Sequence, residues 1–167
     1  MSYSAVARAA ANRFSGAPAA GTNEVWTITT TGTPTGGTFR LRVGGRPTAP
    51  IAFNAAAAAV EAAVEALGHV GAVVTSGGGP LPTGVTLTFT GSRGVRNLGA
   101  SYIGVFSNDL TGGTTPTPVA TRTTPGVDAT LRGAPAGTLA LRTDNNVLYV
   151  NTGTVTAPVW SAVGGQS

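Results

Sequence analysis

The sequence is short of the residues on which most enzyme and metal chemistry depends. Among its 167 residues it has no cysteine, one histidine (His69) and six acidic residues. The absence of cysteine excludes disulfides, thiolate nucleophiles and zinc or iron–sulfur sites built on cysteine. A single histidine excludes metal sites built from several histidines and most acid–base relays. The composition therefore argues against an enzyme, and we expect no catalytic residue, no cofactor and no bound metal.

Bulky side chains are also scarce. Aromatic residues make up 6% of the chain, whereas glycine occurs 25 times and proline 11 times. A hydrophobic core must then be built mainly from valine, leucine, isoleucine and alanine. The length predicts a single domain, or one domain with a small appendage. Because a core of so little bulk is marginal for a monomer, the composition favours a homo-oligomer.

Lysine is absent, and the net charge of +4 comes from ten dispersed arginines. They do not alternate with aromatic residues as a nucleic-acid surface requires, so we expect surface arginines that keep the protein soluble or pair with an acidic partner, rather than bind nucleic acid. The longest apolar run, Ala55–Val60, is too short to span a membrane, and the N-terminus has no signal-peptide core. We therefore expect a protein made in the cytoplasm, not exported by a visible signal, and without a membrane partner.

The order of the predicted elements indicates an α+β fold, with a small, mostly antiparallel β-sheet and one alanine-rich helix. Residues 1–22 are interpreted as an extended N-terminal arm with helical spacing over 3–14. Residues 23–107 form a ββαββ module. Residues 108–136, rich in threonine, proline and glycine, are interpreted as a linker or an arm that a partner orders. Residues 137–167 predict a C-terminal β-hairpin or mini-sheet.

Alternating polar and apolar residues predict the strands of the module. Residues 24–31 and 38–43 are predicted to pair as a β-hairpin, with Phe39 on the buried face and Arg40 and Arg42 on the polar face. Three further strands are predicted over residues 69–75, 85–89 and 102–106.

Residues 54–67 predict the helix, with Asn54 as its N-cap. Glu61 and Glu65 lie away from the apolar face of this helix and are interpreted as a solvated surface. The alternative interpretation, a metal site formed by Glu61, Glu65 and His69, is less typical of such a helix.

Two further interpretations of polar and aromatic residues stay open. Asp144 and Asn145 would suit a calcium ion but lack enough neighbouring carboxylates, so a hairpin turn is the simpler interpretation. Four aromatic residues are candidates for stacking on a sugar, although packing inside the protein is the simpler interpretation: Trp26, Tyr102, Tyr149 and Trp160.

Two stretches of the chain resemble known virion proteins. The stretch NEVWTITTTGTPTGGTFRLRVGGRPTAPIAFNAAAAAVEAAVEAL at residues 23–67, followed by a glycine-rich loop and VTLTFTG at 85–91, is similar to a module of actinobacterial phage virion proteins and some bacterial surface proteins. Its marks are the opening Asn23–Val25, the turn GTPTGGTF, the lead-in Pro50–Asn54 to the helix and the closing Phe89–Gly91. The stretch GTLALRTDNNVLYVNTGTVTAPVWSAVG at residues 137–164 resembles the C-terminal element of tailed-phage head-fibre and decoration proteins. Together they are similar to the capsid decoration family, which includes head-fibre and cement proteins and has no catalytic residues.

This resemblance implies a protein on the outer surface of a phage capsid, which stabilises the shell against the pressure of packaged DNA. Its partners would be the major capsid protein and, in a homotrimer, other copies of itself. We expect the arm, the module's arginines and the mini-sheet to supply the contacts, through Tyr3, Val6, Phe14, Arg40, Arg42, Arg46, Leu148, Tyr149, Val150 and Trp160. Two other functions stay open: a tail subunit of the tube, baseplate or fibre, and a module that binds a host-surface glycan.

Overall fold

A computed structural model describes residues 12–70 and 74–164. The chain divides into two compact units: residues 23–126 form the larger unit, and residues 1–22 with 127–167 form the smaller one. The described residues form mainly antiparallel strands and one α-helix, so the predicted α+β class is confirmed. None of the helices in this described part is long and apolar enough to cross a membrane.

The strands of the described residues are numbered in chain order. They are β1 (Arg13–Phe14), β2 (Val25–Thr31), β3 (Gly36–Val43), β4 (Arg46–Pro47), β5 (Ile51–Ala52), β6 (Val74–Gly78), β7 (Val85–Phe89), β8 (Ile103–Thr111), β9 (Thr117–Thr124), β10 (Leu139–Arg142), β11 (Val147–Asn151) and β12 (Trp160–Ala162). The α-helix is α1 (Ala57–Glu65), and a short 3₁₀ helix covers Gly91–Arg93.

The larger unit contains two antiparallel sheets that share one core. The strand order of the first sheet is β6-β7-β2-β9. In the second sheet β3 pairs along one side with β8 and along the other with the short β4 and β5. Both sheets and α1 contribute to one buried cluster, whose members are Trp26, Ile28, Phe39, Leu41, Val43, Ile51, Ala55, Val60, Val64, Val70, Val74, Leu81, Val85, Leu87, Phe89 and Ile103.

The predicted hairpin between residues 24–31 and 38–43 does not form. Strand β2 pairs with β7 and β9, whereas β3 pairs with β8, so the two strands lie in different sheets. The predicted faces are nevertheless confirmed, because Trp26, Ile28 and Phe39 are all buried. Alternation along a strand determines which face is apolar, but it carries no information about which strand lies alongside.

The helix is shorter than predicted. It begins at Ala57 with Ala56 as its N-cap, so Asn54 does not cap it. The preceding residues form a turn instead, and the carbonyl of the buried Ala55 accepts the Leu81 N–H at 3.0 Å. The Ala55 carbonyl thus bonds to a residue far along the chain rather than within the helix, and helix propensity alone does not reveal such a contact.

The predicted linker at residues 108–136 contains ordered strands. Strand β8 continues to Thr111, and β9 pairs with β2 along the whole length of β2. Threonine is β-branched and fits a strand well when a neighbouring strand supplies the hydrogen bonds. The low hydrophobicity of this segment therefore does not indicate that it lacks strands. The strand predicted over 69–75 also shifts, since β6 begins at Val74 and residues 71–73 lie outside the described part.

The glutamates of α1 cover the outer edge of the first sheet. Glu61 Oε2 accepts the Ser76 N–H at 2.9 Å, and Glu65 Oε1 accepts the Val74 N–H at 3.1 Å. Strand β6 is the last strand of its sheet, so alternate N–H groups point away from β7. The interpretation of a solvated surface is thus corrected: the carboxylates occupy edge donors that would otherwise be open to another chain.

Glu61→Leu is expected to lower the free energy of unfolding by about 1–2 kcal/mol, because the Ser76 N–H loses its acceptor. Glu61→Gln is the matched control. It keeps an oxygen at the same distance and should change stability by no more than about 0.5 kcal/mol. Denaturant unfolding measures both variants, and amide hydrogen exchange at Ser76 reports the lost bond. Equal exchange at Ser76 in all three proteins would show that the carboxylate does not cap this strand.

The smaller unit is a four-stranded sheet in the order β1-β10-β11-β12. Strand β1 runs parallel to β10, and the other pairings are antiparallel. The predicted arm therefore contributes a strand. Arg13 and Phe14, which were predicted to be helical, are extended, and residues 1–11 of the predicted arm lie outside the described part. The last residue of this unit's first segment, Thr22, and the first residue of its second segment, Val127, exchange two backbone hydrogen bonds of 3.0 and 3.1 Å.

A buried asparagine organises the interior of this unit. Asn151 is 1% exposed, its Nδ2 donates to the Ala134 carbonyl at 2.7 Å, and its Oδ1 accepts the N–H groups of Gly153 and Val159, both at 2.9 Å. Among the described residues of this unit, few apolar side chains are buried, and Trp160 is the largest of these. The unit thus depends on a polar centre as well as on apolar packing.

Candidate docking surface

The clearest functional feature of the larger unit is the outer face of β3. Arg40 and Arg42 alternate along this strand with the buried Phe39, Leu41 and Val43, and therefore point away from the core. Their predicted position on the polar face is confirmed. Across the sheet, Arg40 lies opposite Ser107 and Arg42 opposite Gly104, both on β8. The neighbours of both arginines are thus among the smallest side chains.

The arginines of this face form no ion pair within the described part of the chain, and the acidic residue on the same face, Asp109, lies opposite Thr38. The ion pairs of the described residues are Arg122–Glu24 and Arg142–Asp144, and neither involves Arg40, Arg42 or Arg46. Arg46 lies on β4 and is exposed, as is Arg42, whereas Arg40 is half-buried. Guanidinium groups that lack an internal carboxylate are available to an acidic partner.

Exposed apolar residues lie on the neighbouring strand. The register between β3 and β8 shifts between Arg40 and Leu41, so that Phe106 is an extra residue opposite this step. Such an insertion is a β-bulge, which often re-aims a side chain. Phe106 is 56% exposed and Val105 is 42% exposed. Sequence analysis missed both residues, because a bulge leaves no mark in the alternation of polar and apolar positions.

The structure brings together three of the predicted contact residues in the smaller unit. The Phe14 ring lies 5.5 Å from that of Tyr149 and 6.0 Å from that of Trp160, measured between centroids. Trp160 Nε1 also donates to the Thr130 carbonyl at 2.8 Å. Leu148 and Val150 flank Tyr149 on β11 and point to the opposite face of this sheet. The aromatic residues therefore pack internally, whereas Tyr3 and Val6 lie outside the described residues.

The aromatic residues considered for sugar stacking are mostly enclosed. Trp26 is 2% and Trp160 9% exposed, so neither presents an open ring face. Tyr102 packs edge-on against Phe89 at 5.3 Å, and burial raises the pKa of its hydroxyl although Arg93 and Arg96 oppose this rise. These positions fit packing inside the protein better than the binding of a glycan.

The residues weighed as metal ligands make other contacts. His69 lies with Nδ1 2.7 Å from the Leu67 carbonyl and Nε2 3.1 Å from the Val43 carbonyl, while Glu61 and Glu65 bond to β6. The described residues contain no group of three or more histidine, aspartate and glutamate side chains placed to hold a metal ion.

Asp144 lies in a turn, as predicted, and is engaged there. Its two carboxylate oxygens accept hydrogen bonds from Arg142 Nε and Nη2, both at 2.8 Å, and these bonds lower its pKa. Asn145 Oδ1 accepts the Val147 N–H at 3.1 Å. Both side chains considered for calcium therefore stabilise the turn between β10 and β11.

Glu24 is a buried polar centre that sequence analysis did not single out. Its carboxylate is fully buried and accepts hydrogen bonds from Trp26 Nε1 at 2.7 Å, Leu98 N–H at 3.0 Å, Arg122 Nη2 at 2.6 Å and Gly126 N–H at 3.3 Å. The sequence nevertheless contains a signal for its burial. Glu24 falls on the same face of its strand as Trp26 and Ile28, which are apolar and buried.

The surroundings of Glu24 keep its carboxylate ionised. Burial alone raises its pKa, but the hydrogen bonds from Trp26, Leu98, Arg122 and Gly126 together outweigh burial and hold the pKa below its ordinary value. The same carboxylate connects the start of β2 with the loop after β7 and the residues after β9. Glu24 thus stabilises the scaffold that carries the docking surface, rather than contacting a partner.

Comparison with known proteins gives a distant structural likeness. No protein-family model matches the chain, and no curated protein matches it. A solved structure from Mycobacterium phage Patience matches over 87% of this chain, with a TM-score of 0.41 and 13% sequence identity. The chain spans 57% of the length of that protein.

Proposed function

We propose that the chain is a structural protein of a phage virion that decorates the outer surface of the capsid and catalyses no reaction. In this proposal the outer face of β3 and β8 docks on an acidic surface of the major capsid protein. The observation that carries it is the pair of outward guanidinium groups, Arg40 and Arg42, which form no ion pair within the described residues and lie on a sheet whose strand β8 also carries the exposed Phe106. The resemblance of residues 23–67 and 137–164 to virion proteins supports the same function.

The composition of this face fits a protein–protein contact. Arginine and aromatic residues are enriched at the centres of interfaces and supply much of the binding energy there. Charged groups of one sign also direct the encounter with a surface of the opposite sign. A partner that brings carboxylates to Arg40 and Arg42 and covers Phe106 would use both effects.

The mechanism we propose is mechanical. Each copy contacts the shell through a small surface, and several copies joined in a homotrimer would bind together, so that weak contacts sum to a stable attachment. Such bridges between neighbouring capsid subunits oppose their separation under internal pressure. The half-buried Leu148 and Val150 of the smaller unit are our candidates for contacts between copies.

Emptied, undecorated capsids of the phage that encodes the chain test this function. The purified protein is expected to be a stable oligomer by light scattering and to sediment with these shells at a fixed copy number at saturation. Replacing both Arg40 and Arg42 by alanine should weaken binding about tenfold or more at low salt. The double variant Arg13→Ala, Arg132→Ala removes the same charge from the smaller unit and should bind almost normally.

Two results would contradict capsid decoration. The first is a wild-type protein that stays in the supernatant with emptied shells. The second is immunogold label confined to the tails of virions, which would identify a tail subunit instead.

A further inference from the structure

The free side of β8 is an edge to which another strand can be added. Strand β8 pairs with β3 and with no other strand of the described residues. Among the other edges of the larger unit, β6 is capped by Glu61 and Glu65, and β4 and β5 are two residues long. Strand β9 is also a long edge, since it pairs only with β2 in the described part, but its arginine, Arg122, is paired with Glu24. A long edge strand offers unpaired backbone donors and acceptors to an extended peptide.

Backbone hydrogen bonds show which part of β8 is open. The Tyr102 carbonyl accepts the Gly44 N–H at 2.9 Å and so faces β3. Because backbone groups alternate along an antiparallel strand, those of Gly104 face β3 as well, and those of Ile103 and Val105 face away from it. Beyond the bulge, the outward Leu110 N–H is bonded to Asn108 Oδ1 at 3.2 Å. The open stretch is therefore the first half of the strand.

Arg42 lies over this same stretch. A Cβ placed on Gly104 would meet the Arg42 Nη2 at 3.9 Å and no other described side chain within 4 Å. The Arg42 side chain thus extends from β3 over Gly104, toward the free edge of β8. Val105 and Phe106 are also exposed on this strand, and Val105 lies opposite Leu41, on the other face of the sheet from Arg42.

We propose that Ile103–Ser107, with the Arg42 guanidinium above it, binds an extended acidic segment of a protein partner by strand addition. The backbone of that segment pairs with the outward groups of Ile103 and Val105, and one of its carboxylates pairs with Arg42. The choice of an acidic partner follows from charge, because the acidic residue on β8, Asp109, accepts a hydrogen bond from Ser107 and is not near Arg42 in register. This inference rests on the proposed function in that the segment belongs to the capsid shell.

Amide hydrogen exchange at Ile103 and Val105 tests the pairing, with emptied capsids and separately with poly-L-glutamate as partners. We expect exchange at these two amides to slow about tenfold or more on binding. Arg42→Gln should weaken binding and remove this protection. Gly104→Asp supplies an internal carboxylate beneath Arg42 and should weaken binding about fivefold or more, whereas the isosteric Gly104→Asn should not.

The outcomes separate the two proposals. Capsid binding by the wild type with unchanged exchange at Ile103 and Val105, or with equal affinity in Gly104→Asp and Gly104→Asn, overturns strand addition and leaves capsid decoration standing. Protection by poly-L-glutamate without capsid binding overturns decoration and supports the acidic edge site. Absence of protection with both partners overturns the edge site. Protection that arises with concentration of the protein alone identifies a second copy as the added strand, which also overturns it.

Discussion

Glu24→Gln is expected to lower the free energy of unfolding by about 3–5 kcal/mol, the range for breaking a buried ion pair. In the wild type, Leu98 N–H, Gly126 N–H and Arg122 donate to the same carboxylate oxygen of Glu24. The glutamine amide keeps one acceptor oxygen, but its NH₂ group faces donors in place of the second oxygen. Denaturant unfolding measures the loss. Glu61→Gln is the matched control, because that carboxylate serves the single donor Ser76. A loss below about 1 kcal/mol at position 24 would contradict this account.

The same carboxylate makes stability depend on pH. Its pKa in the folded protein lies below its ordinary value, so its contribution is complete above the unfolded pKa of about 4.3 and is lost as pH falls through the lower folded pKa. The wild type should therefore lose stability on acidification below about pH 4.3. Glu24→Gln should lack this part of the dependence, which unfolding curves at several pH values measure.

Gly113→Ala is expected to cost about 3 kcal/mol or more, combining positive-φ strain with overpacking. The loop after β2 packs against the loop after β8, and Thr114 N–H donates to the Gly32 carbonyl at 2.8 Å. Gly113 has φ +59°, and a Cβ there would fall inside contact distance of the Gly32 and Thr33 carbonyl oxygens. Thermal or denaturant unfolding measures the effect.

Gly45→Ala separates the two causes of that loss. Gly45 also has a positive φ, +89°, but a Cβ there meets nothing within 4 Å. This control should cost about 1–2 kcal/mol from backbone strain alone. If both variants lose equal stability, the two loops do not pack as closely as described.

The faces of the strands could be predicted from the sequence, but their neighbours could not. Alternation placed Arg40 and Arg42 outward and Phe39 inward, because the side-chain period of two is a local property of extended backbone. Pairing of β2 with β9 joins residues far apart in the chain, which no local pattern encodes. For the same reason only part of the candidate site could be predicted. Its arginines lie on an alternating strand, whereas the exposure of Phe106 coincides with a bulge that is defined only by the register of β8 with β3.

The two stretches that resemble virion proteins contain the buried polar centres. Glu24 belongs to the first stretch and accepts hydrogen bonds from the distant Leu98 and Gly126 N–H groups. Asn151 belongs to the second stretch, accepts hydrogen bonds from the nearby Gly153 and Val159 N–H groups and donates to the Ala134 carbonyl. Their side chains hold loops in place instead of meeting a partner. The predicted contact residue Trp160 is enclosed in the same way. The resembling stretches therefore contain residues that stabilise each unit from within as well as our candidates for partner contacts, the outward Arg40 and Arg42 and the half-buried Leu148 and Val150.

The paired backbone of Thr22 and Val127 has a consequence for how the two units could be exchanged. The chain leaves the smaller unit and re-enters it at adjacent points, so residues 23–126 constitute an insertion between two strands of polypeptide already joined by hydrogen bonds. Insertions whose ends are adjacent are tolerated because the host needs no rearrangement to accept them. Residues 23–126 could therefore be exchanged for another domain whose ends are adjacent without disturbing the hydrogen bonds between Thr22 and Val127.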